Sequence, residues 1–139
     1  MLTQGPTYYM ASAAVDHNSN KAAVYKMIFS AGTELHGASG PFLYSPYTNY
    51  PGANNATIAE ILTSYYVSFA VTGDPNIMRS PKAVFWPSYI TGGKGTVEDG
   101  EGVGFTVLDI TYSSIVPGVD PDVSPQCDFF AGRGLAVIN

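Results

Sequence analysis

Histidine is the side chain best suited to move protons near neutral pH, and the sequence contains two, His17 and His36. His17 stands in the polar run of residues 16–20, which is typical of a solvated loop. His36 stands between Leu35 and Gly37, shortly after an apolar stretch. In open α/β sheets, reactive groups gather in loops beyond the carboxyl ends of the strands. The position therefore favours His36 as a general base, with an ordinary loop histidine as the alternative.

The elements that would position His36 are a strand and a helix before it. Residues 22–29 (AAVYKMIF) are apolar at nearly every position, with Lys26 as the one break. Such a run predicts a strand buried on both faces, as in parallel sheets. A first helix is predicted from Gly5-Pro6 to the polar residues 16–20, because proline is favoured at the first helical position. Residues 30–51, rich in Gly, Pro, Ser and Tyr, predict a loop.

A second helix is predicted after that loop. Thr57 and Glu60 have the spacing of a capping box, in which each side chain satisfies a free backbone N–H. The apolar residues that follow have the spacing of one helix face: Ile58, Ile61, Leu62, Tyr65, Tyr66, Phe69 and Ala70. Gly73 predicts the end of the helix, and Asp74-Pro75-Asn76 predicts a turn.

The remaining third of the chain predicts mixed structure. Residues 91–104 hold six glycines and predict a surface loop. Residues 105–110 alternate like a strand, and Ser124-Pro125 is a suitable start for a short helix through Phe130. Strands and helices in this order indicate the α/β class; the resemblance described below implies an incomplete sheet with flanking helices.

Composition limits the partners. The 139 residues suit one domain, and a net charge of -5 with only six basic residues argues against nucleic acid. No apolar run approaches the roughly 18 residues that a membrane span needs, and residues 1–6 do not resemble a signal peptide. A single cysteine, Cys127, excludes an internal disulfide. Asp99, Glu101 and Asp109 do not match a calcium loop. Asn55-Ala56-Thr57 is a glycosylation sequon.

Five motifs occur in one order along nearly the whole chain. They are the G-x-x-x-H-G segment at 32–37, Phe42-Leu43-Tyr44, the stretch from Ser68-Phe69-Ala70 to Asn76, Trp86-Pro87-Ser88-Tyr89, and Cys127-Asp128-Phe129-Phe130. In this order they resemble the C-terminal part of the type-B carboxylesterase/lipase family, the branch of the α/β hydrolases that includes cholinesterases and fungal lipases.

The resemblance implies a serine ester hydrolase in which His36 is the triad histidine. Family members use a Ser on a G-x-S-x-G elbow, an Asp or Glu, and then the His, in that chain order. The sequence contains no G-x-S-x-G, Ser39 is followed by Gly40-Pro41, and Asp16 and Glu34 come too close before His36. We therefore expect residues 1–139 to be a C-terminal part of an α/β-hydrolase domain, not catalytically complete alone. The resemblance implies a carboxylic ester substrate, no cofactor or metal, a missing N-terminal part as partner, and a secreted protein.

Two departures from the family keep an alternative open. The family usually has an acidic residue three positions after the histidine, where this chain has Ser39. Many members also have a cysteine at the position of Gly5, which pairs with a C-terminal cysteine that corresponds to Cys127. A non-catalytic cholinesterase-like interaction module or a pseudoenzyme remnant would tolerate both changes. An independent secreted binding domain that uses its tyrosines is a third reading. Tyr44, Tyr47 and Tyr50 either line a substrate pocket or cover the core.

Overall fold

The computed structural model of the chain describes residues 4–18, 22–31, 37–44, 55–91, 96–98 and 101–131. Four helices and five strands follow one another in these ranges. In chain order they are α1 (Gln4–Asp16), β1 (Met27–Phe29), α2 (Gly40–Tyr44), α3 (Ala56–Thr72), β2 (Thr96–Glu98), β3 (Glu101–Val103), β4 (Thr106–Ile110), β5 (Ile115–Val119) and α4 (Pro125–Ala131).

The main sheet has three strands in the order β1-β4-β5. β1 and β4 run parallel, with Met27 opposite Leu108 and Phe29 opposite Ile110. β4 and β5 are joined by residues 111–114, where the Thr111 N–H donates to the Ser114 carbonyl at 2.8 Å. Helices combined with a small mixed sheet put the chain in the α/β class.

The chain divides into two compact units, and two of the boundaries between them fall within β4 and β5. Unit 1 comprises Met1–Lys26, Ser88–Val107 and Gly118–Asn139, and unit 2 comprises Met27–Pro87 and Leu108–Pro117. The buried apolar side chains of unit 2 come mainly from α3, from β4 and from Trp86. In unit 1, α1 and α4 are joined by a hydrogen bond from the Tyr9 hydroxyl to the Asp128 carboxylate at 2.9 Å.

The first strand is much shorter than the predicted 22–29, since only Met27–Phe29 forms β1. Its side chains are half-buried, so the prediction of a strand fully buried on both faces is also wrong. The residues before β1 form other hydrogen bonds. The Val24 carbonyl accepts from the Tyr89 N–H at 2.7 Å, and the Lys26 side chain bonds to two carboxylates. A buried ammonium must be paired, and Lys26 meets that requirement just before β1 begins.

Helix α3 is confirmed, but the predicted capping box is wrong. The helix is capped by Asn55, whose side-chain oxygen accepts from the Ile58 N–H at 3.1 Å, and Asn is as good a cap as Thr. Glu60 bonds instead to the Lys82 ammonium and the Ser80 hydroxyl, at 2.6 and 2.7 Å. These hydrogen bonds, with that from Lys82 the stronger, lower the pKa of the Glu60 carboxyl.

The predicted apolar face of α3 is buried only in its first part. Ile58, Ile61, Leu62 and Tyr65 are buried, whereas Tyr66 and Phe69 are 43% and 50% exposed. The predicted end is confirmed, because Gly73 has a φ of 78° and its N–H donates to the Phe69 carbonyl at 2.8 Å. Only glycine adopts this left-handed conformation without a steric cost.

The second half of the chain contains strands that the sequence did not predict. Residues 91–104 include an antiparallel pair, β2 and β3, with Thr96 opposite Val103, so the prediction of a plain surface loop is wrong. β5 contains Pro117 and Gly118, which disfavour a central strand but are tolerated at an edge. The predicted strand at 105–110 and the helix after Ser124 are confirmed as β4 and α4.

Candidate functional site

The segment that carries His36 follows directly from β1. The Ser30 N–H donates to the Ile110 carbonyl at 2.8 Å, which continues the pairing of β1 with β4 by one residue, and Ala31 is buried. His36 itself, with residues 32–35, lies outside the described residues. The chain that leads to it thus leaves the carboxyl end of a parallel strand pair.

A turn begins immediately after His36. Gly37 has a φ of 81°, and the Gly40 N–H donates to the Gly37 carbonyl at 2.9 Å. The Phe42 N–H then donates to the Ser39 carbonyl at 3.1 Å, and α2 begins at Gly40. The left-handed conformation at Gly37 explains why glycine follows His36. Ser39 lies in this turn and does not follow a strand, so the described geometry is not that of a nucleophile elbow.

The two flanks of the His36 segment are held by packing within unit 2. The rings of Phe29, at the end of β1, and Phe42, in α2, have centroids 5.3 Å apart, and Phe42 is 3% exposed. The Thr63 hydroxyl of α3 lies 3.5 Å from the Phe42 carbonyl. Both flanks are therefore attached to the same core, which is what a loop with a positioned catalytic side chain requires.

Two of the family-like motifs are bonded directly to each other. Asn76 donates from its side-chain nitrogen to the Trp86 carbonyl at 2.9 Å, and the Trp86 N–H donates to the Asn76 side-chain oxygen at 2.7 Å. Asn76 also donates to the Asp74 carboxylate at 2.9 Å. A side-chain amide carries a donor and an acceptor in one fixed plane, so Asn76 can make both bonds at once. The T-G-D-P-N and W-P motifs therefore form one structural unit.

Ser68 completes that unit from the buried face of α3. Its hydroxyl donates to the Asp74 carbonyl at 2.6 Å and accepts from the Met78 N–H at 2.9 Å. Nearby, the Tyr65 hydroxyl donates to the Val84 carbonyl at 2.7 Å, and its ring meets that of Trp86 edge-on at 5.2 Å. Burial raises the pKa of Tyr65 to about 12. These residues serve as the rigid support of unit 2 and none of them is poised to react.

Sequence reasoning missed a buried ionic cluster in unit 1. The Lys26 ammonium lies 2.6 Å from Asp120 and 2.8 Å from Asp122, and the Asp120 side chain has no exposure. Asp120 also accepts from the Tyr89 hydroxyl at 2.9 Å and from the Asp122 N–H at 3.0 Å. Burial and the Asp120 hydrogen bond raise the pKa of Tyr89. A lone lysine in an apolar run is the signal that could have indicated buried carboxylate partners.

Other predicted residues have less to add. Tyr44 is the last residue of α2, while Tyr47 and Tyr50 lie outside the described residues. Cys127 is a free, half-buried thiol in the first turn of α4. In the part of the chain that the structure describes, no group of His, Cys, Asp and Glu side chains has a metal-binding arrangement. Among the same residues, no helix has the length and apolarity to cross a membrane.

Comparison with protein-family models, with curated proteins and with solved structures finds no match to this chain.

Proposed function

We propose that this chain is the C-terminal part of a serine-type carboxylic ester hydrolase and that His36 is its general base. The observation that supports the proposal best is the position of the His36 segment. It follows the carboxyl end of β1 in a parallel strand pair and precedes a turn that needs glycine. In α/β folds this is where catalytic side chains are carried. The five motifs of the type-B carboxylesterase/lipase family support the same reading, and the finer α/β-hydrolase fold is part of the proposal.

In the proposed reaction, His36 moves protons at one ring nitrogen. It takes the proton of the serine hydroxyl as that oxygen attacks the ester carbonyl, and then gives it to the departing alcohol. When water releases the acyl group, His36 takes a proton from the attacking water and then gives it to the departing serine oxygen. The serine, the acid that orients the imidazole, and the oxyanion-hole N–H groups would come from sequence before residue 1, since the chain order is Ser, acid, His.

A short p-nitrophenyl ester tests the proposal. The 139-residue chain alone should hydrolyse it no faster than free histidine does at the same concentration. The full polypeptide in whose reading frame the chain lies should turn it over. His36→Gln should then reduce the turnover rate by at least about 10²–10⁴-fold, which is the usual contribution of a general base. The matched variant His17→Gln, which removes the other histidine of the chain, should leave the rate unchanged.

A non-catalytic interaction module is the second candidate, and the position of Ser39 favours it. The family's acidic residue at that place is missing. The upstream reading frame separates the two candidates. An in-frame G-x-S-x-G motif would support the esterase, and a reading frame without it would support the interaction module. Equal turnover in the His36 and His17 variants would refute the role of His36 even where such a motif exists.

A further inference from the structure

Asn55 caps α3, but the cap uses only one of the two polar atoms of its side chain. It is the acceptor of Asn55-Ala56-Thr57, the single N-x-S/T sequon in the sequence. Its side-chain oxygen accepts from the Ile58 N–H at 3.1 Å and caps α3. Its side-chain nitrogen makes one long hydrogen bond, at 3.5 Å, to the Tyr112 carbonyl. Ala56 and Thr57 are exposed. The cap therefore depends on the oxygen alone, and the one hydrogen bond of the nitrogen is an exposed one.

A small groove lies beside Asn55, within unit 2. It has a volume of about 190 Å³, and Asn55 is part of its lining. Thr57, Thr111, Tyr112 and Ser113 are among the residues that line it, and Tyr112 is 44% exposed. An aromatic ring beside hydroxyls is the kind of surface that a sugar covers, with one apolar and one polar side.

We propose that Asn55 is an N-glycosylation site and that the first sugar of the glycan lies in the groove against Tyr112. The acceptor is the Asn55 side-chain nitrogen, and the donor is an oligosaccharide linked through a diphosphate to a lipid. A bond forms between that nitrogen and the sugar C1, the bond from C1 to the diphosphate oxygen breaks, and the nitrogen loses one proton. The lipid diphosphate leaves. The product is still an amide, so its oxygen continues to cap α3 and one N–H remains for the Tyr112 carbonyl.

The first experiment asks whether Asn55 is modified. The chain is expressed behind a cleavable secretion leader in a eukaryotic host that makes high-mannose glycans, and intact masses are measured in cells and medium. Wild type and Thr57→Ser, which keeps the sequon, should carry a glycan mass that peptide N-glycosidase removes. Thr57→Ala and Asn55→Asp should lack it, although Asp keeps a side-chain cap on α3. An unmodified wild type in both fractions, or a glycan that persists in Thr57→Ala, would overturn the proposal.

The second experiment asks where the first sugar lies. An endoglycosidase that leaves one sugar on Asn55 should leave the thermal midpoint unchanged, because that sugar makes the groove contact. The chain made in a bacterial host that adds no glycan keeps Asn55 unchanged, and its midpoint should lie a few degrees below that of the one-sugar form, the size of shift expected for one such contact in a chain of this length. In Tyr112→Ala, the one-sugar and unglycosylated chains should have the same midpoint. Equal differences in the wild type and in Tyr112→Ala would overturn the placement of the sugar against Tyr112.

Discussion

Replacing Lys26 with methionine should destabilise the protein strongly. The change keeps the length of the side chain and removes its charge, which leaves Asp120 and Asp122 buried without their cation. The ammonium lies 2.6 and 2.8 Å from the two carboxylates, and the three side chains are 8%, 0% and 7% exposed. Breaking a buried ion pair by removing one partner costs about 3–5 kcal/mol. Against a total free energy of unfolding of about 5–15 kcal/mol, this is a large fraction.

The structure provides a matched control in Lys82. Its ammonium lies at the same distance, 2.6 Å, from the Glu60 carboxylate, but the two side chains are 60% and 45% exposed. Lys82→Met should therefore change the stability little, because water screens and replaces an exposed pair. The assay is urea unfolding followed by the near-ultraviolet circular dichroism of the tyrosines. For a urea slope of about 2 kcal/mol per molar, Lys26→Met should lower the midpoint by about 1.5–2.5 M.

A partial rescue completes the test of this cluster. Adding Asp122→Asn to Lys26→Met neutralises one of the two unpaired carboxylates and should restore part of the lost stability. Equal midpoints for Lys26→Met and Lys82→Met would refute the reasoning, because burial is the property that distinguishes the two pairs. A double variant less stable than Lys26→Met alone would refute the role assigned to charge.

Three further predictions concern unit 2. Burial raises the pKa of Tyr65 from 10.0 to about 12, so the folded state keeps a proton that the unfolded state loses in this window. The free energy of unfolding should therefore fall by about 2–3 kcal/mol as the pH rises from 10 to 12. Urea unfolding across that pH range should show that Tyr65→Phe lacks this part of the fall. Asn76→Ala removes the hydrogen bonds that Asn76 makes to the buried Trp86 N–H and carbonyl and should cost about 2–4 kcal/mol. The loss is measured by unfolding followed through Trp86 fluorescence, and a loss no larger than that of a surface variant would contradict this prediction. Gly73→Ala adds a Cβ that meets no atom within 4 Å, but at a φ of 78° its backbone is strained. Thermal unfolding should show a loss of stability of about 1–2 kcal/mol from this strain alone.

Local signals in the sequence predicted those elements whose formation depends on neighbouring residues. Helix α3 and its end at Gly73 are examples, because the apolar spacing and the glycine act within a few turns of the chain. The turn after Gly73 and helix α4 follow from similarly short signals. Strand β4 was predicted from the alternation of residues 105–110, which is also a short signal.

Two of the errors concern partners that are distant in the sequence. Only Met27–Phe29 of the strand predicted at 22–29 forms, and Lys26 pairs with Asp120 and Asp122, which lie more than 90 residues away. β5 contains a proline and a glycine, and its place at the edge of the sheet could be known only from the topology. Asn55, and not Thr57, caps α3. Several polar residues near a helix start can serve as caps, and the backbone conformation decides which of them does.

For the candidate site, the sequence predicts the histidine and the structure describes the segments on either side of it. The resemblance predicts His36 from its motif, and the described residues show the strand end before residues 32–36 and the glycine turn after them. The hydrogen bonds between Asn76 and Trp86 explain why two of the motifs occur together, but no spacing rule predicts a pairing across ten residues of irregular chain. The cluster around Lys26 was missed for the same reason.

The most direct test of the proposed function is the rate at which a fluorophosphonate probe labels the full polypeptide. Such a probe reacts with a serine that a general base has activated, so the test does not require knowledge of the ester substrate. We predict covalent labelling of one serine, a rate reduced by about 10²–10⁴-fold in His36→Ala, and an unchanged rate in His17→Ala. A wild type that is not labelled, or a His36→Ala variant labelled as fast as the wild type, would contradict the assignment of His36 as the base of a serine ester hydrolase.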